Sequence, residues 1–168
     1  PRDVTVVVSG ITVPRRGATL FKISGEDGSI QWAKTIKTRS VSTSVAFTRL
    51  LLDREQEQIH LAAFLGTGAI SFDSYSYPQP STSSRSLIAT LSSSGHFTWV
   101  SSLFSGVSFS ISSLFKNANG EINFLGGGYS SGPSYQLKIG RIERPLNRTG
   151  EFSRHGVFSN STTLCSEV

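Results

Sequence analysis

Apolar and polar residues alternate along most of this chain, and the alternation predicts strands throughout. Val4, Val6 and Val8 alternate with Thr5, Val7 and Ser9, giving a head strand over 3–11. "GATLFKI" (17–23) and "SIQWAKTI" (29–36) flank "SGEDG", where Asp27-Gly28 tolerates the positive φ of a tight hairpin turn. "SVAFTRLLLD" (44–53) and "IHLAAFLG" (59–66) follow, separated by the polar break "REQEQ". The stretch 67–85, rich in Ser, Tyr and Pro, reads as a long exposed loop with room for a short strand at "AISFDSY". The pattern then restarts with "SLIATLS" (86–92), "HFTWVSSLF" (96–104), "FSISSLFK" (109–116) and "EINFLGGGYS" (121–130).

The restart is a repeat. "ISGEDGSIQWAKTI" and "LSSSGHFTWVSSLF" share a polar turn, a Gly and a Trp four residues after it. Trp32 and Trp99 stand 67 positions apart. Without the 67–85 segment the period falls to about 50 residues, the span of a four-stranded propeller blade. "YQLKIGRI" (135–142) and "TGEFSRHGVFS" (149–159) begin the unit a third time, with Arg154 where Trp99 stood. The expected organisation is a single repeat array. Residues 1–16 form the terminal strand of a unit, 17–66 a first blade and 67–85 an inserted loop. Residues 86–130 form a second blade, and 131–168 a partial third unit and tail.

These units resemble the β-propeller repeat of secreted proteins, with its S-S-G hairpin turn, Trp-bearing second strand and D/N-G turn before the last strand. "LFKISGEDGSIQWAKTI" and "LIATLSSSGHFTWVSSLF" carry the first half, and "SSLFKNANGEINFLGGGYSSG" the second. Departures are the missing turn Gly in "LLLDREQEQIHLAAFLG", the third unit's missing Trp and the 67–85 insert. "DGSIQW" also resembles the blade motif of quinoprotein dehydrogenases, whose Trp residues dock blade to blade. The resemblance implies an all-β fold of tandem antiparallel blades in an incomplete, propeller-like ring, and packing between blades for Trp32 and Trp99. It leaves open a stacking platform for a sugar or cofactor at the same residues.

Composition adds bounds. The chain has 168 residues, eleven Phe and only 16% charged residues, while serine reaches thirty. Such a chain favours strands and turns over helix. Its net charge of +5 is scattered, densest at Arg15–Arg16, Lys34/Lys37/Arg39 and Arg141/Arg144/Arg148, with no basic run suited to nucleic acid. An anionic glycan remains compatible. Cys165 is the only cysteine, so it is free or paired with another chain. No run of apolar residues is long enough to span a membrane as a helix. A chain without Met that starts at Pro1 is expected to be a processed product or part of a longer polypeptide. Asn147 and Asn160 head N-x-S/T sequons and favour a glycosylated extracellular or cell-surface protein.

Candidate chemistry is sparse. His60, His96 and His155 lack metal-ligand spacing. No serine sits in a G-x-S-x-G elbow. Glu26–Asp27 and Glu55/Glu57 read as solvated turn charges. Gly126-Gly127-Gly128 reads as a bulge or a close packing contact. No catalytic, metal or cofactor residue is expected. Phe72, Tyr75 and Tyr77 in the 67–85 segment are the candidate ligand or partner residues.

Two and a half blades leave open strand edges, which attract partner strands. The expected function is a non-catalytic structural or adhesive protein that self-associates into a filament or a multi-chain propeller. Its head strand (Val4, Val6, Val8) would complete the unfinished unit of another copy, with "STTLCSEV" the candidate for the strand still missing. The alternatives are a glycan-binding, lectin-like module and a fragment of a quinoprotein-like enzyme.

Overall fold

A computed structural model describes residues 5–14, 17–38, 44–67, 70–72, 75–77, 85–103, 108–129, 135–142 and 162–165. Every regular element among them is a strand, and all ladders are antiparallel. The all-β expectation holds. No closed barrel or propeller forms among the described residues.

The head is a hairpin. β1 (Thr5–Val8) pairs with β2 (Ile11–Pro14), and the turn residues Ser9 and Gly10 both have positive φ. Two such residues make the tight primed turn that matches strand twist. The head strand therefore finds its ladder partner in the next four-residue strand, within a two-stranded sheet of its own.

Three four-stranded sheets follow. The first holds β3 (Gly17–Ile23), β4 (Ile30–Thr38), β7 (Ile70–Phe72) and β8 (Tyr75–Tyr77), in that order. The second is central, with β5 (Val45–Asp53), β6 (Gln58–Leu65), β9 (Arg85–Ser92) and β10 (Phe97–Leu103). The third holds β11 (Ser108–Lys116), β12 (Ile122–Tyr129), β13 (Tyr135–Arg141) and β14 (Thr162–Cys165).

This grouping differs from the repeat read along the chain. The hairpins β3–β4 and β5–β6, expected in one unit, lie in different sheets, and β6 pairs with β9 across the segment 67–85. The reason lies in the strands. "QIHLAAFL" is mostly apolar and "RSLIATLS" carries the unbroken apolar run Leu87-Ile88-Ala89, which suits strands covered on both faces, with a ladder neighbour on each side. The 67–85 segment is not simply a loop: β7 extends the first sheet, pairing Lys37 with Ser71 and Thr38 with Ile70. The fourth place in the third sheet is filled by Thr162–Cys165 of the same chain. Thr162–Cys165 lies within "STTLCSEV", the stretch expected to supply the missing strand, so within one chain that place is taken. Residues 149–159, expected as a strand, lie outside the described residues.

The core sits in two layers on either side of the central sheet. Facing the first sheet are Ile59, Leu61, Ala63 and Leu65 of β6, Leu87, Ala89 and Leu91 of β9, and Phe97 and Val100 of β10, packed with Ile36, Ile70, Leu20 and Trp32. Facing the third sheet are Ala62 and Ile88, packed with Phe109, Ile111, Leu114 and Phe124. Successive residues of one strand thus enter different layers, as the two-residue period requires. Phe109 and Phe124 meet edge to face, with ring centroids 6.4 Å apart. The glycine run has a packing reason: a Cβ on Gly126 would stand 2.7 Å from the Phe109 ring. Gly126 also lies opposite the ladder irregularity between Ile111 and Ser113.

Candidate functional site

The joints between sheets are the best-defined sites in the molecule. At the first joint Trp32 crosses from β4 onto the β9–β10 turn of the central sheet. Its indole Nε1 donates to the Ser93 carbonyl oxygen at 3.0 Å, and Lys22 Nζ donates to the same oxygen at 3.1 Å. The ring lies over Gly95, where a Cβ would come within 2.8 Å of it. Gly95 also has a φ of +83°, so glycine satisfies both the turn and the docking ring. At the second joint Trp99 packs against the layer facing the third sheet. Its Nε1 is buried without a hydrogen-bond partner among the described residues.

The ladders show that the two tryptophans are equivalent. Trp32 lies opposite Lys22 and Trp99 opposite Thr90, each beside a register shift. Ile23 and Leu91 follow as the next equivalent pair. The β5–β6 and β11–β12 ladders carry matching shifts, between Phe47 and Arg49 and between Ile111 and Ser113. Aligning them pairs Leu50 with Leu114, Leu51 with Phe115, Ala62 with Leu125 and Asp53 with Asn117. One ladder further, Ile88 faces Ala62 and Ile139 faces Leu125, so Ile88 and Ile139 are equivalent. Thr90 and Arg141 correspond in the same way.

A polar cleft of about 630 Å³ opens beside the second joint, between the β5–β6 and β11–β12 turns. Lys116 Nζ reaches Asp53 Oδ1 at 3.1 Å and Glu55 Oε2 at 2.6 Å. Asp53 is buried and its Oδ1 also accepts the Gln56 N–H at 3.2 Å. Its Oδ2 is buried without a partner among the described residues. Burial pushes the Asp53 carboxyl up, but the Lys116 hydrogen bond, the Gln56 N–H and the charges of Lys116 and His60 outweigh it, and the carboxyl titrates below its ordinary value. Hydrogen bonds to Glu55 and Asp53 hold Lys116 above its ordinary value. Both groups are thus pushed away from neutrality, whereas an acid–base catalyst is tuned toward it. The pair acts as a clasp between the second and third sheets. Arg49 Nε donates to the Ser112 carbonyl and Ser86 Oγ to the Phe109 carbonyl across the same joint.

Other expected residues are dispersed. Phe72, Tyr75 and Tyr77 lie on the β7–β8 hairpin, Phe72 opposite Tyr75 and Ile70 opposite Tyr77. Val6 pairs with Val13 and Val8 with Ile11 in the head hairpin, and Val8 is exposed. Val4, Asn147, Asn160 and His155 lie outside the described residues. Cys165 is paired in β14 with Gln136. His60 is buried, its Nδ1 3.0 Å from Thr90 Oγ1. His96 is exposed, its Nδ1 3.0 Å from Ser94 Oγ. Among the described residues no group of three or more His, Cys, Asp and Glu could hold a metal ion. The Asp53–Lys116 clasp leaves only a faint trace in the sequence. Its signal was a charge ending each of two apolar strands, "RLLLD" and "SSLFK".

No family model, curated protein or solved structure matches this chain.

Proposed function

We propose that this protein is a non-catalytic structural or adhesive module, extracellular or at the cell surface, that self-associates by continuing its own propeller-like array of sheets. One observation carries the reading. Large apolar residues are exposed where their register mates in a neighbouring sheet are covered. Ile23 is 59% exposed while Leu91 is 0%, and Ile139 is 39% exposed while Ile88 is 0%. Phe115, 41% exposed, corresponds to Leu51, which packs into the second joint. A fold that covers these positions inside the chain and leaves them bare at its ends is suited to a further sheet. Each side chain so covered contributes about 1.5–3 kcal/mol.

The reading is tested by sedimentation equilibrium over a wide concentration range. The expected result is reversible growth beyond the monomer. A single species of 18.1 kDa per chain at every concentration would sink it.

A further inference from the structure

We infer that the outer face of the third sheet takes the outer face of the first sheet of a second copy, so that copies stack head to tail. The inference rests on the self-association proposed above and adds which faces meet and in which direction.

The joints inside the chain give the polarity. Each sheet has a leading face, which carries the tryptophan or its register position, and a trailing face, which receives the neighbour's leading face. Leu20, Trp32 and Ile36 form the leading face of the first sheet and pack on the trailing face of the second. Leu51, Ala62, Ile88 and Trp99 form the leading face of the second and pack on the trailing face of the third. Two faces remain. The third sheet keeps a leading face with Phe115, Leu125 and Ile139, the register mates of Leu51, Ala62 and Ile88. The first sheet keeps a trailing face: Ile23 is the mate of the buried Leu91, and Phe21 and Ala33 are the mates of Ala89 and Val100. A leading face and a trailing face are what both internal joints bring together. Placing one copy's third sheet on the next copy's first sheet continues the same arrangement.

Charge agrees with this pairing. At the first joint Lys22 crosses to a carbonyl of the facing β9–β10 turn. Arg141 is the register mate of Lys22 on the third sheet. The turn it would meet on the first sheet of another copy is Ser24–Gly28, which corresponds to Ser92–Gly95 with one extra residue and carries exposed Glu26 and Asp27. Arg141 already pairs with Glu121 of its own chain. A guanidinium has five N–H donors, enough to serve a second carboxylate as well. A joint of two unlike faces is heterologous, so it grows into a ring or an open filament and does not stop at a dimer.

The test uses two variants of the whole chain. Phe115→Asp with Ile139→Asp spoils the third-sheet face; Ile23→Asp spoils the first-sheet face. Circular dichroism and a thermal melt check that each folds. Each alone should self-associate at least about tenfold more weakly than the parent chain. Mixed in equal amounts they should form a one-to-one dimer and stop, because only one good face of each kind remains. A parent chain that assembles while the mixture stays monomeric, or while either variant assembles as the parent does, overturns head-to-tail stacking and leaves self-association standing. A parent chain that stays monomeric overturns both. If Ile23→Asp does not fold, Glu26→Lys replaces it. That variant should weaken assembly at low salt and approach the parent at high salt, where surface charges are screened. Equal assembly at both salt concentrations counts against the pairing.

Discussion

The central sheet and the third sheet are built on the same register, yet among the described residues β6 and β9 of the central sheet are covered on both faces and the third sheet on one. In β6 and β9 nearly every residue is buried, and even Ser86 and Thr90 are out of water. In β11 and β12 burial alternates, with Phe109, Ile111, Leu114, Ile122 and Phe124 inward and Ser110, Ser112 and Phe115 outward. The difference comes from position in the stack. A middle sheet meets a neighbour on each side, and an end sheet meets one. The apolar character of Phe115, Leu125 and Ile139 is therefore more than the end position requires.

The largest break in this comparison should come from Ile88. Ile88→Ala removes a fully covered side chain and should cost about 3 kcal/mol in chemical denaturation. The same change at Ile139, its register mate, should cost less than about 1 kcal/mol in the monomer. Equal losses at the two sites would mean that the third sheet's outer face is covered within one chain.

The next effect contrasts two turns. Gly95→Ala meets both a positive φ and the Trp32 ring, and should lower stability by about 2 kcal/mol. Gly28 has a φ of +71° but open space around it, so Gly28→Ala should cost only about 1 kcal/mol. Thermal denaturation of both variants checks the order. A larger loss at Gly28 would remove the docking role of the Gly95 turn.

The smallest effect is on pH dependence. Asp53 and Asn117 hold equivalent places, and only Asp53 carries a charge. Its carboxyl is held low in the folded chain, so its stabilising contribution is complete above the unfolded value of about 4. That contribution is lost as pH falls through the lower folded value. The raised Lys116 behaves oppositely: its contribution is complete below the unfolded value of about 10.4 and is lost as pH rises through the higher folded value. Asp53→Asn should flatten the acid limb of a stability–pH curve. An unaltered acid limb in Asp53→Asn would remove the clasp.

Much of this was legible along the chain. Two-residue alternation located the strands, and "DG" and "SSG" located turns that do hold glycines at positive φ. Trp32 meets Ser93 and Gly95 of the neighbouring sheet. The clasp was not legible, because Asp53 and Lys116 are 63 positions apart and meet only when two sheets stack. Nor was the head hairpin, because "SG" fits the end of an alternating strand as well as a turn.

The order of residues by itself determined that the chain is all strand, where its strands run, and that it repeats one Trp-bearing hairpin. These are local matters, set by side-chain period and by the few residues that tolerate turn geometry. Only the tertiary structure decided which hairpins share a sheet, which face of each strand is covered, and which apolar residues are left outward. A strand's ladder partners and cover are chosen by competition among distant segments, and alternation reads the same for a face that is buried and for one that waits at the end of the stack.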